Sequence, residues 1–374
     1  AATTLLVTLG FASEANAQVP LENFFKNPEK AGYQISPDGK YFSYMAPYEN
    51  RLNLFVQEVG SDKATRITSE TVRDLAGSMW ANGHRILYIK DTAGDENFQL
   101  YGVNVDGTDS KAYTAFPKVR TTIIDPLENI DSLVIIGLNK RNPQVFDPYR
   151  LNLNNGELTQ LAENPGNIQG WMTDHNGKLR VALAIVDGVN TQILYRETEE
   201  QPFRPVLTTN FKETVSFATF TPDNKMVYAL TNIGRDKTAL VLMDPATCEE
   251  KEVLYTNDKY DISGLGYSEL KKKLISVSCT GHKGTIRHYF DKNEEAIRTK
   301  LEQKLEGYDI NTTSEDKSEN IRIIYAGGDR TYGTYYTYNV KEDKLTKIAD
   351  LAPWIKEEDM VPMHPITYTS RDGL

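Results

Sequence analysis

The sequence predicts an all-β fold, a seven-bladed β-propeller with one short helical insertion in blade six. Three observations predict it. A unit of roughly 40 to 50 residues recurs along the chain, each unit carries strand-type patterning, and helical spacing is confined to two short segments. The chain has 374 residues, 39% hydrophobic and 25% charged, enough to bury a large core in one repeat architecture. Its 21 tyrosines suit strands, where aromatic rings fit a pleated, half-buried surface.

Four stretches follow in order. Residues 1–17 read as part of an export signal, with an apolar run over 5–12 and the small-x-small site Ala15-Asn16-Ala17. The run is too short to span a bilayer, which takes about 20 apolar residues. No later segment reads as transmembrane, so an exported, periplasmic or extracellular protein is expected. Residues 18–30 form a lead-in with a short helix over 21–25, residues 31–355 the propeller, and 356–374 a linker.

The clearest blade opens at Tyr33-Gln34-Ile35 and turns at Ser36-Pro37-Asp38-Gly39, with strands to follow over 40–45, 53–59 and 64–68. Pro presets φ, Asp bonds back to the backbone and Gly takes positive φ. The same grammar returns at 217–221, Pro222-Asp223-Asn224, 225–230, 239–243 and 251–254. Weaker copies cover 79–116, 121–162, 168–208, 262–290 and 310–349. Helical spacing over 293–305 (Ile297, Leu301, Leu305) predicts an amphipathic insert on the rim of the sixth blade. Lys271-Lys272-Lys273, between two apolar strand patterns, is expected to be a solvated hairpin turn.

In a four-stranded up-and-down blade, second-to-third loops share a face with the connections between blades, and the chain leaves its last blade on that face. The loops expected there are 47–51, 91–97, 139–147, 187–190, 231–237 and 327–332. They carry Arg51, Asp95, Glu96, Asn97, Arg141, Asn232, Arg235, Asp236 and Arg330, the candidate substrate-facing or domain-interface residues. The competing account of each is structural: Asp and Asn cap turns, and Arg braces neighbouring blades. First-to-second turns read as mostly short and generic.

Much chemistry is excluded. A formal charge of −10 argues against nucleic-acid binding, which needs a basic face. There is no G-x-S-x-G elbow, H-E-x-x-H or phosphate-binding loop. The histidines are scattered, and Asp106-Gly107-Thr108-Asp109 lacks the ligand spacing of a calcium loop. No catalytic residue, cofactor or metal is expected in this chain. Pairing of Cys248 with Cys279 stays open.

At the C-terminal end, Pro365-Ile366-Thr367-Tyr368-Thr369-Ser370-Arg371-Asp372-Gly373-Leu374 resembles the hinge of prolyl-oligopeptidase-family serine peptidases. Gly94-Asp95-Glu96-Asn97, Phe146-Asp147-Pro148-Tyr149-Arg150 and Thr231-Asn232-Ile233-Gly234-Arg235-Asp236 are similar to the acylaminoacyl-peptidase and dipeptidyl-aminopeptidase branch. The resemblance implies a propeller that gates and size-selects short peptides for a C-terminal α/β-hydrolase domain carrying the Ser-Asp-His triad. That domain would begin where this chain stops. In the dipeptidyl branch a Glu pair on a propeller insertion binds the substrate's amino end. Here Glu199-Glu200 and Glu249-Glu250 fall at third-to-fourth turns and Glu294-Glu295 on the inserted helix, so no dipeptidyl specificity is assigned. The alternative is a stand-alone periplasmic propeller binding a protein partner or cell-envelope component.

Overall fold

A computed structural model describes residues 19–282 and 284–373. The export-signal reading of residues 1–17 lies outside these. Seven antiparallel sheets follow one another at 31–66, 77–112, 121–160, 168–209, 215–255, 262–289 and 309–350. Each is built from consecutive strands, so among the described residues no strand from one end of the chain completes a blade at the other. These bounds fall within a few residues of the repeats read from the sequence.

The turn chemistry explains why each blade starts as it does. In blade one, Ser36 Oγ donates to Asp38 Oδ1 at 2.7 Å and Gly39 takes φ +72°. Blade five reproduces this with Thr221 Oγ1 on Asp223 Oδ1 at 2.7 Å and Asn224 at φ +58°. A side chain at Gly39 would also meet the Asp316 carboxylate at 3.0 Å, so the turn locks against blade seven.

The core lies between blades rather than at one centre. Leu54, Val56, Ile67 and Leu75 pack on Ile86, Tyr88 and Val103 of the next sheet. Ring closure is equally apolar: Ile323 and Tyr335 of blade seven meet Tyr33, Phe42 and Tyr44 of blade one. Tyr33 stacks on Tyr44 with ring centres 5.1 Å apart. Each fully buried Leu or Ile contributes about 1.5–3 kcal/mol.

Blade six departs from the pattern. It has three strands, and helix α1 of the propeller (Lys292–Lys304) follows in place of the fourth. The reason is local. Asp291 caps the helix, accepting from Asn293 N at 2.8 Å and Glu294 N at 3.3 Å. Leu301 and Leu305 then bury against Ile310, Ile324, Ala326 and Tyr338 of blade seven. The insert is therefore a wedge against blade seven as well as a rim element. The lysine run forms the exposed hairpin turn expected of it, and it also makes ion pairs. Lys271 is held between Glu294 (2.8 Å) and Glu319 (3.0 Å), and Lys273 pairs with Asp291 at 2.8 Å. Buried carboxylates, invisible as neighbours in sequence, draw these ammonium groups in.

Candidate functional site

The channel of the ring has two mouths. One, the linker side, collects the second-to-third connections and the final exit; the other, the turn side, collects the first-to-second turns.

On the linker side most candidate residues are tied within their own blades. Arg141 forks onto Asp147 with both contacts at 2.9 Å, reaches Asn164 O at 2.7 Å, and lies 3.4 Å from Glu163. The Asp147 side chain has no exposed surface, so this guanidinium neutralises a buried charge. Asp95 caps its own loop, accepting from Thr92 N, Asn97 N and Asn97 Nδ2 at 3.1–3.2 Å. Those bonds, the Asn97 amide first, hold its carboxyl below the usual range. Glu96 sits at φ +57°, and its N–H donates to buried Asp91. Arg73, which the sequence reading missed, grips Asp91 at 3.1 Å. Asn232 accepts from Thr214 N and donates to Lys212 O, closing its loop. Arg235 forks onto Glu250 at 2.6 and 2.9 Å. Asp236 pairs with neighbouring Lys237 at 3.2 Å, and Arg51 reaches the carbonyl of Asn50 at 3.4 Å. Among the described residues, no hydrogen bond or ion pair joins candidates from different blades.

Arg330 belongs to a different arrangement. The loop of blade seven that carries it gathers both ends of the described chain. Tyr332 Oη donates to Phe24 O at 2.6 Å, fixing the lead-in helix Leu21–Phe25. Arg330 lies 3.9 Å from Glu357, which also accepts from Tyr308 Oη, and Asp329 accepts from Met363 N at 2.6 Å. Trp354 Nε1 completes the join by donating to Asn23 O at 2.9 Å. Beyond it Val361, Met363, Ile366 and Tyr368 are all more than three-quarters exposed.

On the turn side the connections cross between blades. A cavity of about 860 Å³ opens among Trp80, Glu128, Tyr267, Glu269, Glu315 and Arg322. Lys317 N donates to Pro37 O, Asn82 Nδ2 to Asp131 O, and His175 N to Asn224 Oδ1. Ser268 donates to Glu319, and His175 stacks on Tyr267 with its Nδ1 3.4 Å from Glu269. Desolvation inside the ring, with Glu269 and Asp125 nearby, pushes the Glu128 carboxyl up. Buried Arg322 forks onto Glu294 at 2.8 and 3.0 Å. The sequence reading treated these turns as generic; their one visible signal was the density of Asp, Glu and Asn at each.

One member of each glutamate pair braces the fold. Glu199 accepts from Arg150 and from Leu179 N, Glu250 holds Arg235, and Glu294 holds Arg322. Cys248 and Cys279 are free thiols, the former pushed up to about 11 by burial. Among the described residues, no helix is long and apolar enough to cross a membrane.

The ring resembles the β-propeller part of prolyl-oligopeptidase-family peptidases. Its relatives give that resemblance particulars. The chain is 29% identical over 361 residues to dipeptidyl aminopeptidase BIII of Pseudoxanthomonas mexicana, covering 93% of this chain and 51% of that protein. It is 26% identical over 394 residues to dipeptidyl peptidase family member 6 of Caenorhabditis elegans, with 99% and 52% covered. It therefore spans about half the length of the curated relatives it matches. Among solved structures, prolyl oligopeptidase B from Galerina marginata superposes with a TM-score of 0.63 at 11% identity, over 94% of this chain and 56% of that one. A prolyl endopeptidase gives 0.62 at 12%, over 94% and 54%. At such identities these two show the fold alone. No protein-family model matches the chain.

Proposed function

We propose that this ring is the gating and size-selecting domain of an exported serine peptidase that cleaves short peptides. In this reading the α/β-hydrolase domain follows residue 374 and supplies the catalytic triad. The observation that carries it is the linker: an extended apolar segment over 361–368, exposed on the side where the chain leaves the ring. Surface of that kind calls for a cover. The half-length match to dipeptidyl aminopeptidases supports the same reading. A ring over the active site selects by size and keeps water out without touching the scissile bond.

The test is to extend the coding sequence beyond Leu374 and assay both proteins on short amide substrates. The extended protein should hydrolyse them and this chain should not. A stop codon directly after residue 374, or hydrolysis by the purified chain alone, overturns the proposal.

A further inference from the structure

One first-to-second connection is longer than the other six. Residues 126–132 join the first two strands of blade three, against 36–40, 83–84, 174–178, 221–226, 269–272 and 316–320 in the other blades. Its base is firmly seated. Asp125 Oδ1 accepts from Leu127 N at 2.8 Å, Leu127 takes φ +52°, and Ile130 N donates to Leu127 O at 2.7 Å. Leu127 and Ile130 fill the space beside Gly177 of blade four, where a Cβ would come within 3.2 Å of both.

From that base the loop reaches the far side of the ring. Asn129 Nδ2 donates to Glu269 Oε2 of blade six at 2.9 Å. Lys317 Nζ of blade seven donates to Asp131 Oδ1 at 2.6 Å. In a closed ring of seven, blades six and seven are the two farthest from blade three. A loop bonded to both passes over the axis. Pro126, Glu128 and Asn129 accordingly line the 860 Å³ cavity.

We infer that the 126–132 loop is a strap that closes the turn-side mouth of the channel and is released when its two cross-ring ties are cut. Its anchorage is asymmetric. The base is apolar and packed, whereas the Lys317–Asp131 tie is about half exposed on both partners and so is weakened by salt. Within the strap, Glu128 is crowded by the carboxylates of Glu269 and Asp125, which Lys317 only partly offsets. With the strap closed, solute reaches the channel from the linker side, where the proposed catalytic domain would lie. This deepens the proposed function by assigning the route, and rests on that reading only for what the solute is.

The strap can be tested on the chain itself, without peptidase activity. In a Cys248→Ser, Cys279→Ala background, the pair Asn129→Cys and Glu269→Cys should react with dibromobimane to give the fluorescent intramolecular adduct. Each single-cysteine control should not. Separately, Thr312→Cys, on the cavity wall, reports entry. Its alkylation by a polyethylene-glycol maleimide should rise at least tenfold when Asn129→Ala and Lys317→Ala are added. It should also rise severalfold in 1 M salt with the strap unaltered, a measurement that needs no tie-cutting variant to fold. Absence of the bimane adduct, or equal alkylation rates with ties intact, cut and salt-screened, overturns the strap. Failure of the extended protein to cleave peptides would sink the proposed function and leave these results standing.

Discussion

The two mouths of this ring are built by opposite rules. On the linker side most candidate residues serve their own blade: Arg141 neutralises Asp147, Asp95 folds its loop, and Asn232 closes another. On the turn side polar residues serve the ring. Glu294 joins helix to blade seven through Arg322, Lys271 joins blade six to both, and Asn129 and Lys317 cross the channel. Among the described residues the ring closes without strand exchange, and such a ring needs ties somewhere. Placing them on the turn side leaves the linker side composed of self-contained loops, free to meet another surface.

If that contrast is right, the largest stability loss should come from the turn side. Glu294→Ala leaves Arg322 buried and without its fork, at a cost of about 3–5 kcal/mol in urea unfolding. Arg141→Ala strands Asp147, but water can enter where the half-exposed guanidinium lay, and Asn164 N still donates. We expect about 1–3 kcal/mol. Should Arg141→Ala prove the costlier, the contrast fails.

A middle-sized effect attaches to the helix of blade six. Asp291→Ala removes its N-cap and should cost about 1–2 kcal/mol. This group also sets an acid limit. The Lys273 ammonium, with the capped N–H groups, holds the Asp291 carboxyl down to about 2 from 3.8. A depressed folded value means the stabilisation is present above pH 4 and is lost as pH falls towards 2. Stability measured across that window should fall less steeply in Asp291→Asn than in the unaltered chain.

Most of this architecture is legible in the sequence because it is periodic. Ser36-Pro37-Asp38-Gly39 and Thr221-Pro222-Asp223-Asn224 announce their turns, and each blade's strands follow at fixed spacing. Blade six was legible in part. The helical spacing of Ile297, Leu301 and Leu305 shows, but not that the helix replaces a strand, since that depends on its burial against Tyr338. The turn-side mouth was not legible. Asn129 and Glu269 are 140 residues apart and Lys317 and Asp131 are 186 apart, and period alone says which blade owns a turn, not how far its tip travels. Loop length likewise did not show that most candidates on the longer linker-side loops bond within their own blade.

The smallest expected effect is the one that sharpens the comparison most. Arg51 and Asp236 stand apart from the braced candidates. Among the described residues, Arg51 meets no carboxylate, and Asp236 pairs only with the Lys237 beside it while remaining largely exposed. Side chains of this kind contribute little to a fold, so Arg51→Ala should change the stability of this chain by no more than about 0.5 kcal/mol. In a protein extended beyond residue 374, the same substitution meets a different situation if the linker side is covered. An interdomain surface would then pair the guanidinium, and its loss should lower the unfolding midpoint of the extended protein while leaving that of the ring alone unmoved. Equal, negligible shifts in both would mean that Arg51 faces water in either form, and that the linker side owes its docking to the apolar segment over 361–368 instead.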